Sequence, residues 1–181
     1  MAAVMGLESD PVRAICKEAS FEGEIVSPAN FNAPGQIVIA GHRAAVLRAS
    51  ELVSAQKGKA IALNVSAPFH CALMAPAARV VEEKLADVEI AQLAFPIVAN
   101  ADAEPNQDRA RVKALLVGQV DGPVRWEESM RFMFGRGITH ALEIGTGKVL
   151  AGLMRKIAKE VKVLPVNDPA SIDQVAAFLS S

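Results

Sequence analysis

The chain has 181 residues, of which 51% are hydrophobic, 22% charged and 4% aromatic. A domain of this size buries roughly 70% of the surface its unfolded chain exposes, so disorder is excluded as its main state. Nineteen Lys and Arg against twenty Asp and Glu leave a formal net charge of -1, which excludes a global field for a nucleic-acid backbone or an anionic membrane.

Residues 1–6 are apolar from the first position and read as a strand. Termini are ordinarily polar and frayed, so this start reads as a strand cut from something longer. Ser9-Asp10-Pro11 signals a helix N-terminus, and a helix over 9–19 follows with Val12, Ile15 and Cys16 on one side. Residues 24–30 and 36–40 are rich in strand formers and flank Asn32-Ala33-Pro34-Gly35, which makes a hairpin. A helix over 43–57 and a strand over 59–65 are separated by Gly58. The order βαββαβ over residues 1–66 is the pattern of a ferredoxin-like small domain, two helices on one face of an antiparallel sheet.

From Pro68 the rhythm becomes αβ alternation and predicts part of a parallel α/β sheet over 67–181. The expected elements are a helix over 70–86, a strand over 95–99, helices over 109–118 and 124–134, and a strand over 139–144. Gly145-Thr146-Gly147 then leads into a helix ending near Lys159, a strand over 163–166 and a last helix over 169–179. Apolar runs stop short of the ~20 residues a membrane span needs, and no basic segment precedes an apolar one at the start. Cys16 and Cys71 form no Cys-x-x-Cys pair and have no metal-ligand spacing to the three histidines. The expectation is a cytoplasmic protein without metal, and without nucleic acid or membrane among its partners.

Four stretches contain candidate chemistry. His70 follows a proline turn at the end of a strand, where a near-neutral imidazole is suited to proton transfer; the alternative is a helix-start residue packing on Phe69. Cys71 beside it is expected to be a buried structural thiol, because sequence neighbours on a helix do not face one another. His42 and His140 are expected to be structural. Gly145-Thr146-Gly147-Lys148 is a weak phosphate-loop candidate. It lacks the first Gly and the Ser or Thr of a P-loop, and a tight turn is the better reading. The amide-rich stretch from Asn30 to Gln36 contains Asn32 as a candidate for binding a substrate's polar groups, although amides in turns often bond their own backbone. Gln119, before Asp121-Gly122-Pro123, either orients an imidazole or caps its helix. No Gly-x-Ser-x-Gly elbow is present.

In this order Met1-Ala2-Ala3-Val4, Val26-Ser27-Pro28-Ala29-Asn30-Phe31-Asn32-Ala33-Pro34-Gly35-Gln36, Val65 to Met74, Gly118-Gln119 with Pro123-Val124-Arg125-Trp126, and Glu143 to Leu150 resemble one family. It is the malonyl-CoA:acyl-carrier-protein transacylases of type II fatty-acid synthesis, with the related acyltransferase domains of polyketide synthases. The resemblance implies malonyl transfer from malonyl-CoA to the phosphopantetheine thiol of acyl carrier protein by a ping-pong Ser/His mechanism, with no cofactor beyond these substrates. It implies His70 as base and then acid, with Gln119 orienting it through its backbone carbonyl. Phe69 corresponds to the bulky residue of some malonyl-selective members, which crowds out a methyl branch worth about 1 to 3 kcal/mol. The family's elbow serine, oxyanion glutamine and carboxylate-pairing arginine precede the matched region. The chain therefore reads as the C-terminal part of a transacylase, with 67–181 as the end of a hydrolase-like large domain. The expected partners are acyl carrier protein, a coenzyme A thioester and the family's N-terminal half. The alternatives from other classes are a non-catalytic ferredoxin-like small-ligand-binding or regulatory module and a dimerising partner of a full-length enzyme.

Overall fold

A computed structural model of the chain describes residues 1–21 and 23–181 and resolves them into two compact units, Met1–Ser129 and Met130–Ser181. The first begins with β1 (Ala2–Met5), α1 (Ser9–Ala19), β2 (Val26–Ala33), β3 (Gln36–Gly41), α2 (Arg43–Ala55) and β4 (Lys59–Ala62). These strands form one sheet in the order β2-β3-β1-β4, every neighbouring pair antiparallel.

The two helices share one face of that sheet because their apolar residues recur at helical spacing. Val12, Ile15, Cys16 and Ala19 of α1 and Ala45, Val46, Ala49 and Val53 of α2 meet Ala2, Val4, Ile37 and Ile39 of the strands in one core. Gly41 ends β3 where the chain passes under its neighbour. A Cβ there would lie 2.1 Å from the Ile25 carbonyl oxygen, so no other residue fits without movement. Arg48 ties α2 to the end of α1, donating from Nε and Nη2 to the Ala19 carbonyl at 3.0 and 2.9 Å. Its guanidinium also pairs with Glu24 at 2.7 Å and lies 3.9 Å from the centroid of the Phe21 ring.

The hairpin differs from expectation. β2 continues to Ala33, so Asn30 to Ala33 belong to the strand and the turn contracts to Pro34 and Gly35, with Gly35 at φ 64. Two bulges, between Pro28 and Asn30 and between Phe31 and Ala33, absorb the extra length.

After β4 come a 3-10 turn (Ala72–Met74), α3 (Ala75–Leu85), the short β5 (Ile97–Val98) and β6 (Pro105–Asn106), and α4 (Arg109–Asp121). The expected helix over 70–86 starts only at Ala75, because His70 is left-handed at φ 60 and Cys71 is extended at φ -142, ψ 167. The expected strand over 95–99 is reduced to two residues that pair antiparallel with β6, not within a parallel sheet. Asn106, 2% exposed, fixes the following turn. Its amide donates to the Asp108 carbonyl, and its side-chain oxygen accepts from the Asp108 N–H.

The second unit takes up the chain within α5 (Trp126–Gly135) and continues as β7 (His140–Ile144), α6 (Val149–Ile157), β8 (Lys162–Val166), α7 (Pro169–Ile172) and α8 (Val175–Leu179). β7 and β8 pair in parallel with α6 as the crossover, the connection parallel strands require. The single helix expected over 169–179 is two, broken by a turn at Asp173-Gln174. The architecture is thus α/β with both antiparallel and parallel pairing. No helix among the described residues is long and apolar enough to cross a membrane.

Candidate active site

Ala40 alternates with Ile39 along β3 and so belongs to the sheet face that α1 and α2 leave free. On this face a second, smaller cluster forms from Ala29, Ala40 and Cys71, with Met1 and Leu73 against it. Cys71 is 2% exposed, and its thiol donates to the Pro68 carbonyl at 3.1 Å. Burial raises the thiol pKa, so it stays protonated and is a poor nucleophile. The expectation that Cys71 is structural stands, though for another reason: the residue lies in an extended segment, not on a helix.

Between Pro68 and Cys71 the chain turns left-handed at His70. The His70 Nδ1 lies 2.8 Å from the backbone carbonyl oxygen of Gln119. A carbonyl only accepts, so Nδ1 carries the proton and Nε2 of the neutral ring keeps its lone pair. That carbonyl is available because Gln119 lies in the last turn of α4, beyond whose end the residue four positions on is Pro123, which has no N–H to give.

The chain beyond α4 is fastened to the open edge of β2. Val124 donates to the Ala29 carbonyl at 2.8 Å, and the Phe31 N–H donates to the Val124 carbonyl at 2.8 Å. The first bulge of β2 therefore touches both members of the pair, His70 through the adjacent Cys71 and Gln119 through Val124.

The other sequence candidates are placed differently. Asn32 is half-buried in the second bulge of β2, and Phe69 is 40% exposed. No hydrogen bond among the described residues joins either to the pair. His42 caps α2 and accepts the Ile25 N–H on Nδ1 at 3.0 Å. His140 has Nδ1 2.9 Å from the Thr139 hydroxyl and its ring edge-on to Phe178. An open cavity of about 370 Å³, lined by Met1, Arg43, Leu63, Val65 and Pro68 among others, approaches the His70 segment without including His70.

In the second unit the glycine turn is required by backbone conformation. Gly145 and Gly147 adopt φ 129 and φ 93, conformations that favour glycine. Two N–H groups of the first turn of α6 are already taken by an anion of the chain itself: the Glu143 carboxylate accepts from Leu150 at 2.9 Å and Ala151 at 2.8 Å. Sequence reasoning missed Glu143 as the anion of this helix terminus. It also missed Pro123, whose spacing from Gln119 was the legible sign of a free carbonyl. Among the described residues no group of three His, Cys, Asp or Glu side chains is placed to hold a metal ion.

No protein-family model matches the chain. Among curated proteins it is 41% identical over 173 residues to the malonyl CoA-acyl carrier protein transacylase of Salmonella typhimurium, covering 95% of this chain and 56% of the relative. The enzyme of that name from Bacillus subtilis is 40% identical over 174 residues, covering 96% of this chain and 55% of the relative. Among solved structures, an acyl carrier protein S-malonyltransferase from Vibrio cholerae superposes with TM-score 0.92 at 42% identity, over 96% of this chain and 57% of the other. A type II PKS acyl-carrier protein in complex with its malonyl-transacylase matches with TM-score 0.92 at 40% identity, over 99% of this chain and 58% of the other. Along almost all of its length the chain is thus a homologue of the malonyl CoA-acyl carrier protein transacylases, and it spans a little over half of theirs.

Proposed function

We propose that the chain supplies the acid-base half of a site that moves a malonyl group from malonyl-CoA to the phosphopantetheine thiol of an acyl carrier protein. The observation that carries this reading is the 2.8 Å pairing of His70 Nδ1 with the Gln119 carbonyl, which leaves Nε2 as the ring's basic nitrogen. No Gly-x-Ser-x-Gly elbow lies within these residues, so the nucleophilic serine belongs to sequence outside them.

In the first half-reaction Nε2 takes the serine hydroxyl proton as the oxygen attacks the malonyl thioester carbonyl. The tetrahedral intermediate then collapses, the C–S bond breaks, and the imidazolium returns its proton to the departing coenzyme A sulfur. In the second half-reaction Nε2 takes the proton of the carrier thiol, which attacks the serine ester, and gives it to the leaving serine oxygen. A neutral carbonyl partner for Nδ1 suits this traffic. It fixes the tautomer without the extra stabilisation of imidazolium that a carboxylate would add, so the proton is released readily in each half. No cofactor beyond the two substrates is required.

In the same reading Phe69 narrows the acyl pocket against a methyl branch, and Asn32 contacts the substrate's polar arm. The strand order with α1 and α2 on one face supports a ferredoxin-like reading of residues 1–66. The parallel β7-α6-β8 unit supports a place within a hydrolase-like sheet, with the family's remaining half as its partner. The test is malonyl transfer from malonyl-CoA to holo acyl carrier protein, followed by mass spectrometry. It is run with this chain alone and with the chain plus the upstream half of a complete transacylase. Transfer in the mixture that disappears with His70→Ala supports the reading. A mixed complex that forms without transfer, or transfer that survives the substitution, rejects it.

A further inference from the structure

His70 holds a left-handed backbone conformation, φ 60, that is unfavourable for a non-glycine residue, so its surroundings must enforce it. The residue before the turn's end supplies nothing of the kind, since Phe69 is exposed. The residue after it is the most buried of the segment. Cys71 packs in one cluster with Ala29 and Ala40, each 0% exposed, and its thiol closes the turn onto the Pro68 carbonyl at 3.1 Å. Met74 donates back to the Cys71 carbonyl at 2.8 Å, joining the anchored residue to the following 3-10 turn. Ala29 also accepts the Val124 N–H that fastens the end of α4.

We infer that Cys71, seated on the β2 bulge at Ala29, is a positioning residue that holds the left-handed turn of His70 in register with the Gln119 carbonyl. The seat has to be small. Alanines at 29 and 40 leave room for one compact side chain, and a larger group at either position would displace Cys71 and, through it, the imidazole one residue away. The thiol is protonated at neutral pH because burial raises its pKa, so the S–H donor is present wherever the imidazole works. This role rests on the transfer reading for its use, but the geometry it controls can be measured without activity.

The experiment is nitrogen-15 NMR of the His70 ring in the 181-residue chain, which distinguishes a single Nδ1–H tautomer from a mixture. It compares the unmodified chain with Cys71→Ala, Cys71→Ser and Ala29→Val, and with Val53→Ala as a control destabilised in the core under the helices. The unmodified chain is expected to show one tautomer. C71A and A29V lose it to a mixture, C71S recovers it through its hydroxyl, and V53A keeps it. If C71A does not fold, A29V reads the same seat from the sheet side. In the chain mixed with the upstream half, C71A lowers kcat by up to about a hundredfold with KM unchanged, the scale of a misplaced catalytic group. A single tautomer persisting in both C71A and A29V, or a mixture appearing equally in V53A, overturns the inference. Tautomer changes as expected with no transfer by the unmodified mixture would reject the transfer reading while leaving the positioning role intact.

Discussion

Beneath α1 and α2, one face of the four-stranded sheet buries Val4, Val12, Ile15, Ile37, Ile39 and Val53, each 2% exposed or less. Its other face buries Ala29, Ala40 and Cys71, and presents His70 to Gln119. Fully burying one Val or Ile side chain contributes roughly 1.5 to 3 kcal/mol, whereas an alanine methyl contributes well under half of that. The helix-covered face therefore provides stability. The other face provides little, but its small side chains let two backbones and a loop approach closely enough to set a 2.8 Å contact. Stability and placement are divided between two sides of the same strands.

The largest expected effect belongs to the second face. His70→Ala in the transfer-competent mixture should lower kcat by about 10² to 10⁴-fold, the usual contribution of a general base, with no loss of thermal stability. A steady-state assay beside a thermal melt checks both halves of the statement, and a large fall in melting temperature would break the comparison. Next comes Ile39→Ala on the helix face, expected to cost about 2 to 5 kcal/mol in urea unfolding. The His70 ring should keep its single tautomer in that variant; a mixture would show that the two faces are coupled.

A third test uses the thiols, one on each face. Burial pushes Cys16 up to about 12 from its ordinary 9.0, against the opposing charge of Arg13, and burial raises Cys71 as well. The folded state thus prefers the protonated thiols. Their contribution is complete below pH 9, where the unfolded thiols are also protonated, and is lost at higher pH, for Cys16 as pH climbs toward 12. Cys16→Ala should flatten this alkaline decline in a series of urea unfolding curves, and an unchanged slope would contradict the assignment. The smallest effect is expected at the rim of the helix face. Arg48→Ala removes two bonds to the Ala19 carbonyl and the contact with Phe21, and should cost about 1 to 2 kcal/mol. The half-exposed pair with Glu24 adds little to this. Lysine at position 48 should restore little, lacking the planar fork that reaches one carbonyl twice.

The helix-covered face is legible in the amino-acid sequence because its signals are local. Val12, Ile15 and Cys16 recur at helical spacing, Pro11 sits where its missing N–H is harmless, and Gly58 ends the second helix zone. The site face is legible only through resemblance: His70 and Gln119 are 49 positions apart, and no periodicity connects them. The segment around His70 misleads a helical reading because its composition favours a helix while a left-handed residue and an extended one forbid it. The glycine turn before α6 looks like an anion site because nothing local shows that the Glu143 carboxylate, on the preceding strand, returns to fill it.

By itself the sequence determined the βαββαβ order of the first six elements, the apolar stripes of α1 and α2 and, through Pro123, that the Gln119 carbonyl would find no donor four residues on. Those follow from covalent structure and from contacts within a few residues. Only the tertiary structure decided which imidazole meets that carbonyl, since it depends on β2 bulging at Ala29, on Val124 fastening to the bulge, and on Cys71 settling beside it. Each of those contacts joins segments far apart in the chain, and their register is set by packing, which no local propensity encodes.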